Sequence, residues 1–550
     1  MKTNILKIHP NDNVLVALAD LQPGQTVQWA GFEYLIAEAI PAKHKLATQA
    51  FEPGDGITMY GVLVGKAKGR IPAGGLLTTF NVQHATNTYA QAAKQVSWPA
   101  PAVDRWQERT FMGYHRADGT VGTANYWLVI PLVFCENRNI QVLEEALVND
   151  LGYNRRHTYQ RQTQELIGMM QAGKTVEEIL QADLQSALAE EVKPRLFPNV
   201  DGVKFLAHDG GCGGTRQDAQ ALCGLLAGYI MHPNVAGATV LSLGCQNAQV
   251  AILQEEIQKR DPQFAKPLVV LEQQKIGTEE SLISQALRQT FAGLMLANTN
   301  VRRPAPLRKL TLGLECGGSD GFSGISANPA VGYTSDLLVA LGGTVILAEF
   351  PELCGVEQEL CDRCVNTETA TRFTGLMQAY SRRAQAVGSG FDMNPSPGNI
   401  RDGLITDAMK SAGAAKKGGT SPVVAVLDYP EPVTKPGLNL LCTPGNDVES
   451  TTAEVGSGAT LVLFTTGLGT PTGNPIAPVV KLSSNTALAR RMPDIIDINT
   501  GTIIDGDETI QQAGERILDY IIQVASGEQE VSAVRHGQDD FIPWKRGVSL

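Results

Sequence analysis

Lysine and arginine are in deficit in this 550-residue chain, 45 against 56 aspartates and glutamates, which leaves a formal charge of −11. A surface that grips phosphate backbones needs the opposite balance, so nucleic acid is not an expected partner. A small anionic ligand is not excluded, because a local pocket outvotes the global charge. Long hydrophobic runs are also missing. The longest, at 127–134, is strand-length and far short of the roughly 20 residues a membrane helix takes. No membrane partner is expected, and the first ten residues lack the apolar core of a secretory signal, so the expected location is the cytoplasm. None of Cys135, Cys212, Cys245 and Cys316 shows the close pairing of a zinc ribbon. Nine cysteines, an odd number scattered over the chain, suit a reducing compartment where thiols stay free or bind metal. The single CxxC, Cys361 and Cys364, reads as helix packing. None of the polar loops at 316–329, 394–403 and 464–475 matches a phosphate-binding GxxxxGK[ST] or a GxGxxG opening a helix after a strand, HExxH is absent, and no GxSxG suggests a hydrolase elbow, so nucleotide binding, zincin chemistry and a hydrolase elbow are unsupported.

Glycine, by contrast, is abundant at 56 residues, which suits the many strand-to-loop turns of an α/β enzyme better than a helical bundle. The length implies two or three domains. Residues 1–90 read as a small β-rich unit with short strands at 14–18, 26–29 and 34–36 between turns. A polar, proline-containing linker follows at 91–107. Beyond it, buried strand-like runs occur at 126–134, 203–207, 239–243, 268–271, 310–314, 344–347, 423–427 and 461–464. They alternate with helical patterns such as 175–191, 218–230 and 249–259. That alternation predicts two α/β units with largely parallel sheets, at 108–300 and 301–550. The basic, proline-containing stretch at 298–309 is expected to separate them. The tail FIPWKRGVSL carries no readable role.

Four cysteines recur at equivalent places, at or just past the end of a strand: Cys135, Cys212, Cys245 and Cys316. In open parallel sheets the carboxyl ends of strands are where ligands bind, and thiolates there can converge on iron or zinc. Taken singly, a buried inert thiol is the commoner fate of cysteine; the repeated placement is what favours a metal. His208 shares the glycine-rich loop of Cys212. Three further loops, at 316–329, 394–403 and 464–475, are dense in Gly, Ser, Thr and Asn. They offer Ser319, Asp320, Ser323, Asn394, Ser396, Asn399, Thr466 and Thr470 to a polyhydroxylated or anionic ligand.

The stretches LGLECGGSDGFSGISANPAVG, EFPELCGVEQ, NPSPGN, LNLLCTPGNDVESTT and FTTGLGTPTGNP together resemble the altronate/galactarate dehydratase family, and residues 1–90 resemble its SAF-like domain. The likeness covers nearly the whole chain. It implies dehydration of D-altronate to 2-dehydro-3-deoxy-D-gluconate with Fe(II) or a similar divalent ion. It further implies cysteines at the four positions above and histidines at His208 and His44, the latter beside Lys45 in PAKHKLA, so that the small domain closes over the main site. The chain departs from the family pattern as well. Leu76, Thr78 and Phe80 stand where many relatives carry histidines. Ala124 and Leu468 stand where a basic residue is usual, with Arg216 and Lys275 as candidate replacements.

The implied reaction removes a weakly acidic proton at C2, next to a carboxylate, and expels hydroxide, a poor leaving group, from C3. A divalent metal eases both steps as a Lewis acid, and a positioned base, His208 or His44, completes them. Three cysteines sharing an iron–sulfur cluster with one open iron would serve the same end. Galactarate or another hexarate is the alternative substrate. Two other classes stay open: a cysteine-nucleophile enzyme, which needs a Cys–His pair, and a non-catalytic sugar-acid-binding protein. A small domain on a linker also suggests a homo-oligomer.

Overall fold

The computed structural model describes residues 4–90, 96–153, 158–184 and 193–549. The first of these segments is β-rich throughout, with antiparallel pairings that include Val14–Ala17 with Lys45–Ala47 and Gly56–Met59 with Val62–Ala67. Two of its hairpins turn through paired positive-φ residues, Ala30-Gly31 and Tyr60-Gly61, the two-residue turn whose twist matches that of the strands it joins. A separate cluster of Ile5, Leu15, Leu21, Ile36 and Leu46 fills one end of this unit.

Two parallel sheets follow. The first has four strands in the order Gly202–Phe205, Tyr126–Pro131, Val235–Ser242, Leu268–Glu272. The second has seven, in the order Val423–Leu427, Gly437–Leu441, Thr344–Leu347, Thr311–Cys316, Leu461–Thr466, Val479–Ser483, Ile498–Asn499. Their strands are nearly continuous apolar runs, as burial on both faces demands. The first sheet has a switch point between Tyr126–Pro131 and Val235–Ser242, and the second has one between Thr311–Cys316 and Leu461–Thr466. Such switch points open a crevice at the carboxyl ends of the strands.

Several local expectations change. The run at 126–134 is a strand only to Pro131; Phe134–Glu136 is a 3-10 turn that lifts Cys135 off the sheet. Two strands of the larger sheet, Gly437–Leu441 and Val479–Ser483, were hidden by their polar members. Asn439 and Lys481 are both fully buried, and Lys481 lies 4.8 Å over the Phe464 ring with its ammonium on the Thr472 carbonyl. The basic stretch at 298–309 is no free separator: Arg302–Pro306 pairs antiparallel with Thr110–His115. Of the helix expected at 175–191, Val176–Leu180 is helical and residues 185–191 lie outside those described, as do 91–95 of the linker. Cys361 and Cys364 are fully buried in packing, as expected.

Candidate active site

The four cysteines fall into two places. Cys135, Cys212 and Cys245 stand at the carboxyl ends of three neighbouring strands of the smaller sheet, all exposed. Their loops are joined by hydrogen bonds from Phe134 N to Gly210 O (3.1 Å) and from Ala248 N to Gly211 O (3.0 Å). Among the described residues these sulfurs do not form a set within 4.8 Å of one another, so they are not arranged for one mononuclear ion. Cys316 belongs to the other sheet and does not join them.

His208 is held by backbone on both sides. Nε2 lies 2.7 Å from Pro131 O, and Nδ1 accepts from Gly210 N at 3.0 Å. This fixes the Nε2–H tautomer, and burial lowers the pKa despite the carbonyl partner. The ring ties the Cys212 loop to the adjoining strand, and no nitrogen is left for a Cys–His pair. A cavity of about 430 Å³ lies beside it, lined by Asn137, His208, Cys212, Asn247, Trp544 and Lys545. The tail roofs this cavity: Phe541 packs on Tyr229 (4.9 Å between centroids), Trp544 on Tyr380 and Tyr429, and Asp218 accepts from Arg546 N and Gly547 N. Arg216 and Lys275 are exposed on this unit, Lys275 paired with Glu272.

The second place is the switch point of the larger sheet. Cys316 ends its strand fully buried, and its Sγ donates to Glu349 Oε2 at 3.4 Å and Glu352 Oε2 at 3.2 Å. Both glutamates leave the neighbouring strand Thr344–Leu347. Each carries a lysine: the buried Lys417 Nζ is 2.7 Å from Glu349 Oε2, and the partly buried Lys410 Nζ is 2.6 Å from Glu352 Oε1. Burial first, then the facing carboxylates, push the Cys316 thiol well above its usual range. A thiol held neutral in this way is a poor nucleophile, which argues against the cysteine-nucleophile reading. Glu349 adopts a left-handed backbone conformation (φ 62°, ψ 58°), and its Oε1 is buried without a partner. Strain of this kind in a non-glycine residue costs on the order of 1–3 kcal/mol and clusters at functional sites.

Asp447 lies against the Cys-Gly-Gly backbone so closely that a Cβ on Gly317 would meet its Oδ2 at 1.9 Å. Burial, and then Glu349 and Glu352, raise its carboxyl to about 7. The small domain covers this region. Lys43 Nζ reaches Asp320 (3.1 Å) and Asp402 (2.7 Å), and the Lys43 carbonyl abuts Gly321 and Gly403. His44 is half-buried beside it. Its Nδ1 lies 3.3 Å from Ala42 O, and desolvation, with the Lys45 and Lys43 charges, lowers its pKa. Lys45 is fully buried and donates to the Lys43 and Gly403 carbonyls, with burial lowering its pKa to about 7.

Most of the loop residues expected to hold a ligand are spent on the loops themselves. Asp320 accepts from Phe322 N, Ser323 N and Oγ, Ser484 Oγ, Asn485 Nδ2 and Lys43. Ser323 Oγ also accepts from Asp320 N. Ser396 and Asn399 form a capping box, and Asn399 Nδ2 donates to Ser319 O. Thr466 Oγ1 accepts from Gly469 N, and the Thr470 hydroxyl packs over Gly318. Asn394 differs, because it accepts from Lys410 at 2.7 Å at the edge of the carboxylate cluster. Leu468 sits within this group, against Gly318 and Gly398. Ala124 does not; it precedes its strand at the amino end of the smaller sheet. Phe80 is 90% exposed. Sequence reasoning missed Glu349, Glu352, Lys410, Lys417 and Asp447. The signal available was an EFPE after a strand, with two lysines in the helix Asp407–Ala414 and the turn that follows it, too sparse to stand out among ordinary charged residues.

Three family models cover the chain: the altronate/galactarate dehydratase SAF domain over residues 3–85, the D-galactarate dehydratase/altronate hydrolase second domain over 113–298, and the D-galactarate/altronate dehydratase C-terminal domain over 307–549. The altronate dehydratase of Bacillus subtilis (strain 168) is 32% identical across the full length of both chains. That of Escherichia coli (strain K12) is 32% identical over 99% of each. The L-threo-forming galactarate dehydratase of the same E. coli strain is 32% identical over 97% of this chain and 94% of its own.

Proposed function

The chain belongs to the altronate/galactarate dehydratase family and is a hydro-lyase, and on that premise we propose that it converts D-altronate to 2-dehydro-3-deoxy-D-gluconate with Fe(II) or a similar divalent ion. The observation that carries this reading is Cys316 set between Glu349 and Glu352 at the switch point of the larger sheet, under the tip of the small domain. The donors suit the ion. With Glu349 Oε2 and Glu352 Oε1 taken by lysines, Glu349 Oε1, Glu352 Oε2 and Cys316 Sγ stay free of any cation. The three side chains bring ligand atoms within 4.8 Å of one another, and a mixed sulfur and carboxylate set matches a borderline divalent metal. Bound there, the ion would supply Lewis-acid polarisation of the substrate oxygens.

The chain's own residues supply the rest. His44, kept neutral by its depressed pKa, takes the C2 proton. Asp447, raised to about 7, gives a proton to the departing C3 hydroxyl, which leaves as water. The resulting enol becomes the 2-keto acid by protonation at C3. Lys43, Lys410 and Lys417 supply positive charge that Ala124 and Leu468 do not, and Asn394 holds Lys410 in place. The reading is tested by anaerobic turnover of the Fe(II)-loaded protein. We expect kcat/KM at least tenfold higher for D-altronate than for galactarate, and loss of product on chelation. Equal or reversed preference would assign a hexarate instead, and undiminished turnover after chelation would remove the metal.

One observation favours a second reading for the cofactor. Three exposed thiols on hydrogen-bonded loops, spaced wider than one ion takes, suit an iron–sulfur cluster with one open iron. Acid-labile sulfide in anaerobically purified protein would support it. All nine cysteines are unpaired and, among the described residues, no helix is long and apolar enough to cross a membrane. Both facts support our placing the enzyme in the cytoplasm.

A further inference from the structure

A second group of donors lies where the small domain meets the larger α/β unit. His84 follows the last strand of the small domain, Val82–Gln83. Cys354 ends the 3-10 turn Phe350–Leu353, and Asp407 opens the helix Asp407–Ala414. One ligand atom from each lies within 4.8 Å of the others. His84 and Cys354 are partly exposed, and Asp407 is fully buried.

Asp407 makes the group more than a coincidence of side chains. Both its carboxylate oxygens are buried, and apart from the Cys354 thiol beside them neither has a hydrogen-bond partner. A buried carboxylate left in that state costs several kcal/mol unless a proton or a cation compensates it. Lys410, one turn along the same helix, is committed to Glu352 and Asn394. The charges facing the group are otherwise negative: Glu352 and Glu357 toward Asp407, and Asp392 toward His84 and Cys354. The chain approach is also close. Gly355, at φ +94°, carries Cys354 against the start of the helix, where a Cβ would meet Thr86 at 2.9 Å and Ala408 at 3.3 Å. The turn after Cys354 therefore accepts only glycine, and it presses both ligand-bearing segments onto the stretch that follows His84.

We propose that His84, Cys354 and Asp407 hold a divalent cation of borderline softness, Zn(II) or Fe(II) in class, that clamps the small domain onto the larger unit. Imidazole, thiolate and carboxylate from three segments are the donor mixture such ions take, and partial exposure leaves a fourth position for water. This site is separate from the Cys316 group. It shares no ligand with it and serves a different end, fixing the domain whose Lys43 and His44 cover the proposed catalytic centre. Binding releases the Cys354 thiol proton to solvent, and the ion and its ligands undergo no redox change.

Cobalt(II) titration of the chelator-stripped full-length protein tests this, read by sulfur-to-cobalt charge-transfer absorption and bound cobalt per chain. Cys354→Ser and His84→Ala are each expected to lose one equivalent of bound cobalt, and Cys354→Ser to lose part of the charge-transfer band as well. Cys316→Ser is expected to lose a different equivalent, so that Cys316→Ser/Cys354→Ser loses both. His84 lies at the rim, so its variant serves if Cys354→Ser does not fold. Unchanged cobalt stoichiometry in both the Cys354 and His84 variants would overturn the proposal, and would leave Asp407 compensated by a proton. That outcome leaves the Cys316 site untouched, since its equivalent is scored separately.

Discussion

Lys417 and Glu349 are each 1% exposed and 2.7 Å apart, which makes Lys417→Met the sharpest perturbation of the carboxylate cluster. Methionine keeps the stem's volume and removes the ammonium. Glu349 then faces Glu352 and the backbone with one oxygen already unpartnered. Breaking a buried pair by removing one member costs about 3–5 kcal/mol, because the surviving charge is uncompensated. In units of this size 1 kcal/mol moves Tm by roughly 2–4 °C, so the variant should melt roughly 6–20 °C lower. The double variant Lys417→Met/Glu349→Gln removes both charges, and should recover about 0.5–3 kcal/mol relative to the sum of the single changes. Thermal unfolding followed by circular dichroism in chelator-treated buffer at fixed pH and concentration measures all three. A Lys417→Met melting point within about 2 °C of wild type, or strict additivity in the double variant, would refute the claim that this pair holds the site together.

His44→Gln should lower kcat by roughly 10²–10⁴-fold with the fold intact, and the acid limb of the rate profile should vanish with it; a retained acid limb would assign the base elsewhere. Asp218 offers a pH test of the tail. Burial raises its pKa, but Thr215, Gly547 and Arg546 donate hydrogen bonds that outweigh this and leave it depressed. Its contribution to stability is therefore present above the unfolded value of about 3.9 and is lost as pH falls through the lower folded value. Amide exchange at Arg546 and Gly547 should stay slow at pH 5 and accelerate below about pH 4; equal protection on both sides would contradict the assignment. Gly293→Ala puts a Cβ within 2.0 Å of the Trp127 ring and should destabilise by about 1–3 kcal/mol in denaturant titration, with activity per folded molecule unchanged.

The parallel sheets were legible because buried strands announce themselves as short apolar runs between glycines, and their carboxyl ends located Cys316 and the three exposed cysteines. What the runs could not reveal was which strands share a sheet. Cys316 looked equivalent to Cys135, Cys212 and Cys245, yet pairing places it in the other sheet, among carboxylates. Strands with a buried polar member, Asn439 or Lys481, were missed because the polar residue interrupts the apolar run, although nearby carbonyls, of Lys435 and Gly437 for Asn439 and of Thr472 for Lys481, satisfy it. The polar loops were read as ligand cradles, whereas Asp320, Ser323, Ser396 and Asn399 hold the loops in shape, through i,i+3 bonds within each loop and through a bond from Asn399 to the distant Ser319 carbonyl that no local spacing reveals. His208, too, has both ring nitrogens on backbone groups, the Pro131 carbonyl and the Gly210 amide, which its glycine-rich setting does not reveal.

The central claim is that chemistry sits at Cys316, Glu349 and Glu352 and not at the smaller sheet. Side-by-side measurement of bound iron and 2-keto acid formed from D-altronate, under anaerobic conditions, in Glu349→Gln and in Cys212→Ser tests it most directly. The account predicts that Glu349→Gln loses product and iron together while Cys212→Ser retains both. Loss in Cys212→Ser with Glu349→Gln at wild-type levels would move the active site to the exposed cysteines.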